Sequence, residues 1–125
     1  MKLRRLVEIL DAVVFTGEEN MDREATCAFA SDLMSDVLAL ATANSVLLTG
    51  LTTPQVVRTA DVLDISAIVL VRGKKPPQET IALARELGIP LIGTSYIMFE
   101  TAGRLFAGGM VGSISKVVNR EGERK

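Results

Sequence analysis

The stretch VLVRGKKPPQ (69–78) gathers Arg72, Lys74 and Lys75 around Gly73. A guanidinium and two ammonium groups on one short loop are the donors that a phosphate or carboxylate takes. A second stretch, VLLTGLTTPQ (46–55), repeats the phrase with hydroxyls at Thr49, Thr52 and Thr53 in place of charges. A third, GIPLIGTS (88–95), ends on Thr94 and Ser95. These nine residues (Thr49, Thr52, Thr53, Arg72, Gly73, Lys74, Lys75, Thr94 and Ser95) form the candidate ligand-binding set. The competing structural reading gives Gly50 and Gly73 to tight turns, Thr53 to a helix cap and the three charges to solvent.

Other chemistry is scarce. The chain has no histidine, so the usual general base and the commonest metal ligand are missing. Cys27 is the single cysteine, which excludes an intramolecular disulfide and a multi-thiolate metal site; among apolar neighbours it reads as a small core residue. Neither G-x-x-x-x-G-K-[ST] nor G-x-G-x-x-G occurs. Asp32 and Asp36 supply too few oxygens for a metal. They read as a solvated helix face, with Asp32 stabilising the helix start. Glu18, Glu19 and Asp22 read as an acidic solvated turn, and Met98, Phe99 and Phe106 as core. Acids, lysines, hydroxyls, Tyr96 and Cys27 remain for catalysis, and no pair is spaced to suggest a mechanism. The expectation is a domain without catalytic residues, metal or cofactor.

The elements that would position the loops follow from periodicity. Leu3, Leu6, Val7 and Leu10 have helical spacing, and residues 12–15 read as a strand. Residues 16–20 form a polar turn, and residues 26–30 a second strand. Ser31 or Asp32 caps a helix with Leu33, Val37, Leu38 and Ala41 on its apolar side. Three strand–loop–helix units come next, with strands at 45–49, 66–71 and 90–93. Thr53 caps the first helix and Pro54 opens it; Pro77 opens the second, and Gly88 stops it. The third helix carries Phe99, Ala102, Leu105 and Phe106. Tandem units of this kind imply parallel strands with right-handed crossovers, and unbroken apolar strands imply cover on both faces. The predicted fold is therefore α/β: a largely parallel sheet built from repeated strand–loop–helix units, with helices on both faces. In such a sheet the three loops share the carboxyl edge, where ligands bind. Gly108, Gly109 and Gly112 break the pattern, and Ile114, Val117 and Val118 suggest one further turn or strand. The segment NREGERK at the end reads as disordered.

With 125 residues, one domain is expected. The hydrophobic fraction of 48% with few aromatics leaves apolar surface for a partner. A formal net charge of -1 argues against a nucleic-acid-coating protein. The basic N-terminus lacks the apolar core of a signal peptide, and no apolar run reaches membrane-spanning length, so no membrane partner and a cytoplasmic setting are expected.

Several segments in order resemble the DRTGG-domain family and, by extension, the N-terminal domain of HPr kinase/phosphorylase. They are GEENMDREAT (17–26), SDLMSDVL (31–38), IVLVRGKKP (68–76), GIPLIGT (88–94) and FETAGRLF (99–106). The resemblance covers roughly residues 1–109, taken as a single DRTGG-like domain, with 110–125 as a C-terminal extension. It implies an α/β regulatory or ligand-sensing module that forms a homodimer or higher homo-oligomer. The catalytic P-loop domain of the kinase is not part of the resemblance, so no kinase activity is carried over. Where the family often has Thr-Gly-Gly, this chain has Val71-Arg72-Gly73; where it often has Asp-Arg, Thr52-Thr53 stand. Only Gly73 carries over by position. Two functional expectations follow. The first is a non-catalytic regulatory domain that binds an anionic small molecule or nucleotide as a homo-oligomer. The alternative is a protein–protein interaction module without ligand, partnering a signalling or kinase-type protein.

Overall fold

The computed structural model describes residues 1–117. Along the chain run α1 (Leu3–Leu10), β1 (Val13–Thr16), a 3-10 turn (Glu18–Asn20), β2 (Cys27–Ala30), α2 (Met34–Leu40) and β3 (Ser45–Thr49). Then come α3 (Pro54–Leu63), β4 (Ala67–Leu70), α4 (Gln78–Leu87), β5 (Leu91–Gly93), α5 (Met98–Ala107) and β6 (Val111–Gly112). The sheet order is β1-β5-β4-β3-β2-β6. Only the β1–β5 pair is antiparallel; β5–β4, β4–β3, β3–β2 and β2–β6 are parallel. The largely parallel sheet expected from the repeated units is present, with helices on both faces.

The faces follow from strand alternation. Val46, Leu48, Ala67, Val69 and Ile92 point to the side of α1 and α5, where Leu3, Leu6, Leu10 and Leu105 meet them. Leu47, Ile68, Leu70 and Leu91 point the other way, against Val37 of α2, Val56, Val57 and Ala60 of α3, and Ala84 of α4. Each of the large side chains in these layers contributes about 1.5–3 kcal/mol by leaving water. Pro54 occupies the first helical position of α3, where its missing N–H is harmless. Asp64 and Gly88 end α3 and α4 in the left-handed conformation.

Several sequence expectations fail for tertiary reasons. Thr53 does take the expected N-cap position of α3, though without a side-chain bond, whereas Pro77 is the N-cap of α4 and the helix begins at Gln78. On α2 only Val37 is buried, while Leu33 and Leu38 are exposed. Asp32 lies before this helix, with Leu33 at the N-cap, so it shares no helix face with Asp36. Phe99 and Phe106 are not core: they are 84% and 71% exposed, because the packed side of α5 is Thr101 and Leu105. Met98 packs only partly buried against the α1–α5 layer. Cys27 is half-buried, on a strand whose last residue, Ala30, is exposed. Of the tail, Val111–Gly112 pairs with Cys27–Ala28, and the Ser113 amide donates to the Ala28 carbonyl at 2.9 Å. The tail past Gly109 therefore begins as an edge strand of its own domain. Val118 and the segment NREGERK lie outside the described residues.

At the other end of the sheet the chain enters the 3-10 turn through Gly17, whose φ is +92° and whose missing Cβ would meet Pro90 Cα at 2.7 Å. Close by, the Arg4 guanidinium bonds Asp22 at 2.7 Å and holds its carboxyl below the usual aspartate range. A lowered carboxyl contributes stability above its unfolded pKa and loses it as pH falls; for this fully exposed pair the effect is small. Gly17→Ala, by contrast, meets both a left-handed backbone and a clash. It should destabilise the fold by on the order of 2–4 kcal/mol, read as a lower urea midpoint at unchanged slope.

Candidate functional site

The carboxyl ends of β3, β4 and β5 lie side by side, and the loops beyond them are stitched together by backbone bonds. The Val71 amide donates to the Thr49 carbonyl (3.0 Å), Arg72 to Tyr96 (2.8 Å) and Gly73 to Thr94 (2.9 Å). The three loops named from sequence thus share one edge. They are not copies of one another. The strand register aligns Thr49 with Leu70, whereas the sequence phrases align Thr49 with Arg72. The second loop accordingly runs on before α4 begins, and Arg72 and Gly73 both take φ of 67° there. A left-handed arginine costs about 1–2 kcal/mol, which the bonds to Thr94 and Tyr96 offset.

The first loop closes around a carboxylate from within the chain. Asp32 Oδ1 accepts the Gly50 amide at 2.6 Å and the Thr49 hydroxyl at 2.9 Å. The Leu51 amide donates to the Thr49 hydroxyl oxygen at 3.2 Å. The Thr52 carbonyl accepts the Thr80 hydroxyl at 2.7 Å. A Cβ placed at Gly50 would stand 3.4 Å from Asp32 Oδ2 and 3.8 Å from Arg72 Nη2, so acid and guanidinium flank this glycine. Sequence spacing assigned Asp32 to its own helix; the contact with Gly50 spans 18 residues and leaves no local signal.

The second and third loops open instead onto a cleft of about 470 Å³. Gly73, Lys74, Lys75, Thr94 and Ser95 line it together with Asp11, Val13, Val14, Phe15 and Gly93. Lys74 is half-buried, and Lys75 and Ser95 are exposed. Among the described residues, neither lysine nor the Arg72 side chain has an ion pair or hydrogen bond. The Thr94 hydroxyl is committed to the Leu10 carbonyl at 2.7 Å and accepts the Tyr96 amide at 3.3 Å. Thr49, Thr52, Thr53 and Arg72 do not line the cleft. The α1–β1 wall was missed from sequence because β1 runs antiparallel, which brings Val13 opposite Gly93. Chemically, the cleft lining offers apolar side chains, two cations and the Asp11 carboxylate. No group of three or more His, Cys, Asp or Glu able to hold a metal occurs among the described residues. Nor does any described helix have the length and apolarity to cross a membrane.

The sequence model of the DRTGG domain matches residues 5–107. No curated protein matches the chain. Among solved structures the chain is similar to the CBS and DRTGG domains of the regulatory region of Clostridium perfringens pyrophosphatase, complexed with its activator, diadenosine tetraphosphate. The TM-score is 0.70 at 17% identity, over 83% of this chain and 45% of that one. The likeness is one of fold, and the chain spans under half of that regulatory region.

Asp32→Ala leaves the Gly50 amide and Thr49 hydroxyl without their acceptor. It should lower stability by about 1–3 kcal/mol and speed hydrogen exchange at Gly50. Asp32→Asn keeps an acceptor oxygen and should lose less. Equal losses for both would show that the acceptor oxygen is not what holds the loop.

Proposed function

The chain belongs to the DRTGG domain family, and from that premise we propose that it is a non-catalytic regulatory domain, cytoplasmic and homo-oligomeric, that binds an anionic small molecule at the strand-end cleft. The observation that carries this reading is the pair Lys74 and Lys75 beside a cleft of about 470 Å³, with no acidic partner among the described residues. Two cations next to an apolar wall suit a ligand with a phosphate or carboxylate on an apolar body. A nucleotide has that form. The nucleotide activator on the related pyrophosphatase regulatory region supports trying this class first.

Within the candidate set, Lys74, Lys75 and Ser95 are the side chains placed to meet such a ligand. Arg72 stands at the margin, beside Gly50 and Asp32. The Gly73 amide and the Thr94 hydroxyl hold the loops and shape the floor. Thr49 belongs with Asp32, and Thr52 with Thr80. The anion seats at Lys74 and Lys75, the cations that line the cleft, and not at the Asp11 carboxylate, which repels it.

Isothermal titration calorimetry with nucleotides, inorganic phosphate and small carboxylates tests the reading. A member of the first class should bind, and Lys74→Ala or Lys75→Ala should each weaken it by roughly tenfold, the worth of a charge-assisted hydrogen bond. Absence of binding by all three classes, or binding unchanged in the double variant, overturns it.

A further inference from the structure

Helix α5 exposes an apolar stripe that none of the described residues covers. Phe99 and Phe106 stand 84% and 71% exposed, with half-buried Ala102 and exposed Gly103 between them. A Cβ at Gly103 would meet no atom within 4 Å, so this position is open to a close approach. Beside the stripe lies a groove of about 360 Å³, floored by Ala28, Ala30 and Leu48. The cause is architectural. Among the described residues, three helices cover one face of the six-stranded sheet, and α1 and α5 cover the other without reaching over its β2–β6 end. One patch thus carries both projecting aromatic rings and a hollow with a small-residue floor.

We propose that this patch docks on a second copy of itself, α5 against α5, antiparallel about a two-fold axis near Ala102 and Gly103. The pattern of the helix is self-complementary about that point. Phe99 and Phe106 are equally far from it, so each ring meets the other phenylalanine of the second copy and enters its groove. Glu100 and Arg104, paired within the chain at 2.9 Å, are symmetric about Ala102, half a residue from the midpoint of the two phenylalanines. In the antiparallel arrangement the Glu100 of each copy therefore falls beside Arg104 of the other. An isologous contact needs this coincidence of apolar and charged symmetry, and an arbitrary partner does not. The inference deepens the homo-oligomeric part of the proposed function and leaves the strand-end cleft free.

Sedimentation of the full chain across the micromolar range tests it. The wild type should form reversible dimers. Phe99→Asp and Phe106→Asp, both at exposed positions, should each weaken self-association by roughly tenfold or more with unchanged circular dichroism. Glu100→Arg and Arg104→Glu should each weaken it alone, while an equimolar mixture of the two variants recovers dimers, because the basic and acidic helix faces now complement one another. A monomeric wild type overturns this surface and the homo-oligomeric reading together. Dimers indifferent to both phenylalanine substitutions, or a mixture no tighter than its components, overturn this surface only. Calorimetric binding at the cleft is independent of all these outcomes.

Discussion

In β3, β4 and β5 every side chain is buried, so the backbone N–H and C=O groups between them have no water to turn to and must pair within the ladder. Parallel pairing answers that demand and imposes a second condition: successive strands must end on the same edge. The chain returns through α3 and α4 each time, and the loops at 50–53, 71–77 and 94–97 emerge together. Their mutual backbone bonds, Val71 to Thr49 and Gly73 to Thr94, extend the same pairing past the strands. The cleft is a by-product of that arrangement. Its far wall is β1, the one strand added in the opposite sense.

At that edge two neighbouring loops meet the same electrostatic condition differently. The first contains a hydroxyl and an amide that would suit an anion, and the chain supplies one of its own in Asp32. The second has its Arg72 and Gly73 amides committed to the third loop and carries its cations on side chains. A ligand anion therefore finds those two amides taken, and the cations that line the cleft are Lys74 and Lys75. The duplicated phrase in the sequence thus conceals a division of labour, with the neutral copy satisfied internally and the charged copy open.

Much of this was legible in the sequence because it rests on local rules. Unbroken runs such as Val46–Thr49 mark strands buried on both faces, Pro54 marks a helix start, and Gly88 marks a helix end. The edge shared by the loops follows from parallel topology alone. What was not legible depends on partners distant in sequence. Helical spacing identifies an apolar stripe at Phe99, Ala102, Leu105 and Phe106 but cannot say which of them another element covers; Leu105 is buried, and no described element lies over Phe99 and Phe106. Asp32 has the type and position of a cap, yet its partners are Thr49 and Gly50. The tail suggested a further turn or strand at Ile114 to Val118, whereas the strand that forms is Val111–Gly112, placed by its pairing with β2. Of the nine candidate site residues, Gly73, Lys74, Lys75, Thr94 and Ser95 meet at the cleft; the Thr49 hydroxyl and the Thr52 carbonyl are tied to the scaffold, and Thr53 and Arg72 lie outside the lining.

Two surfaces with different chemistry therefore lie on one small sheet: a cationic cleft at the strand ends, and an apolar patch on α5 beside the β2–β6 edge. The ligand and the second copy proposed above would therefore not compete for one surface. The most direct measurement is a two-dimensional amide NMR titration of the full chain with nucleoside phosphates. Saturable shifts concentrated at Lys74, Lys75 and Ser95, with the first-loop amide of Gly50 little changed, are the result predicted. Shifts that cluster away from the strand ends, or no saturable shift at all, would contradict the assignment of this edge as the ligand site.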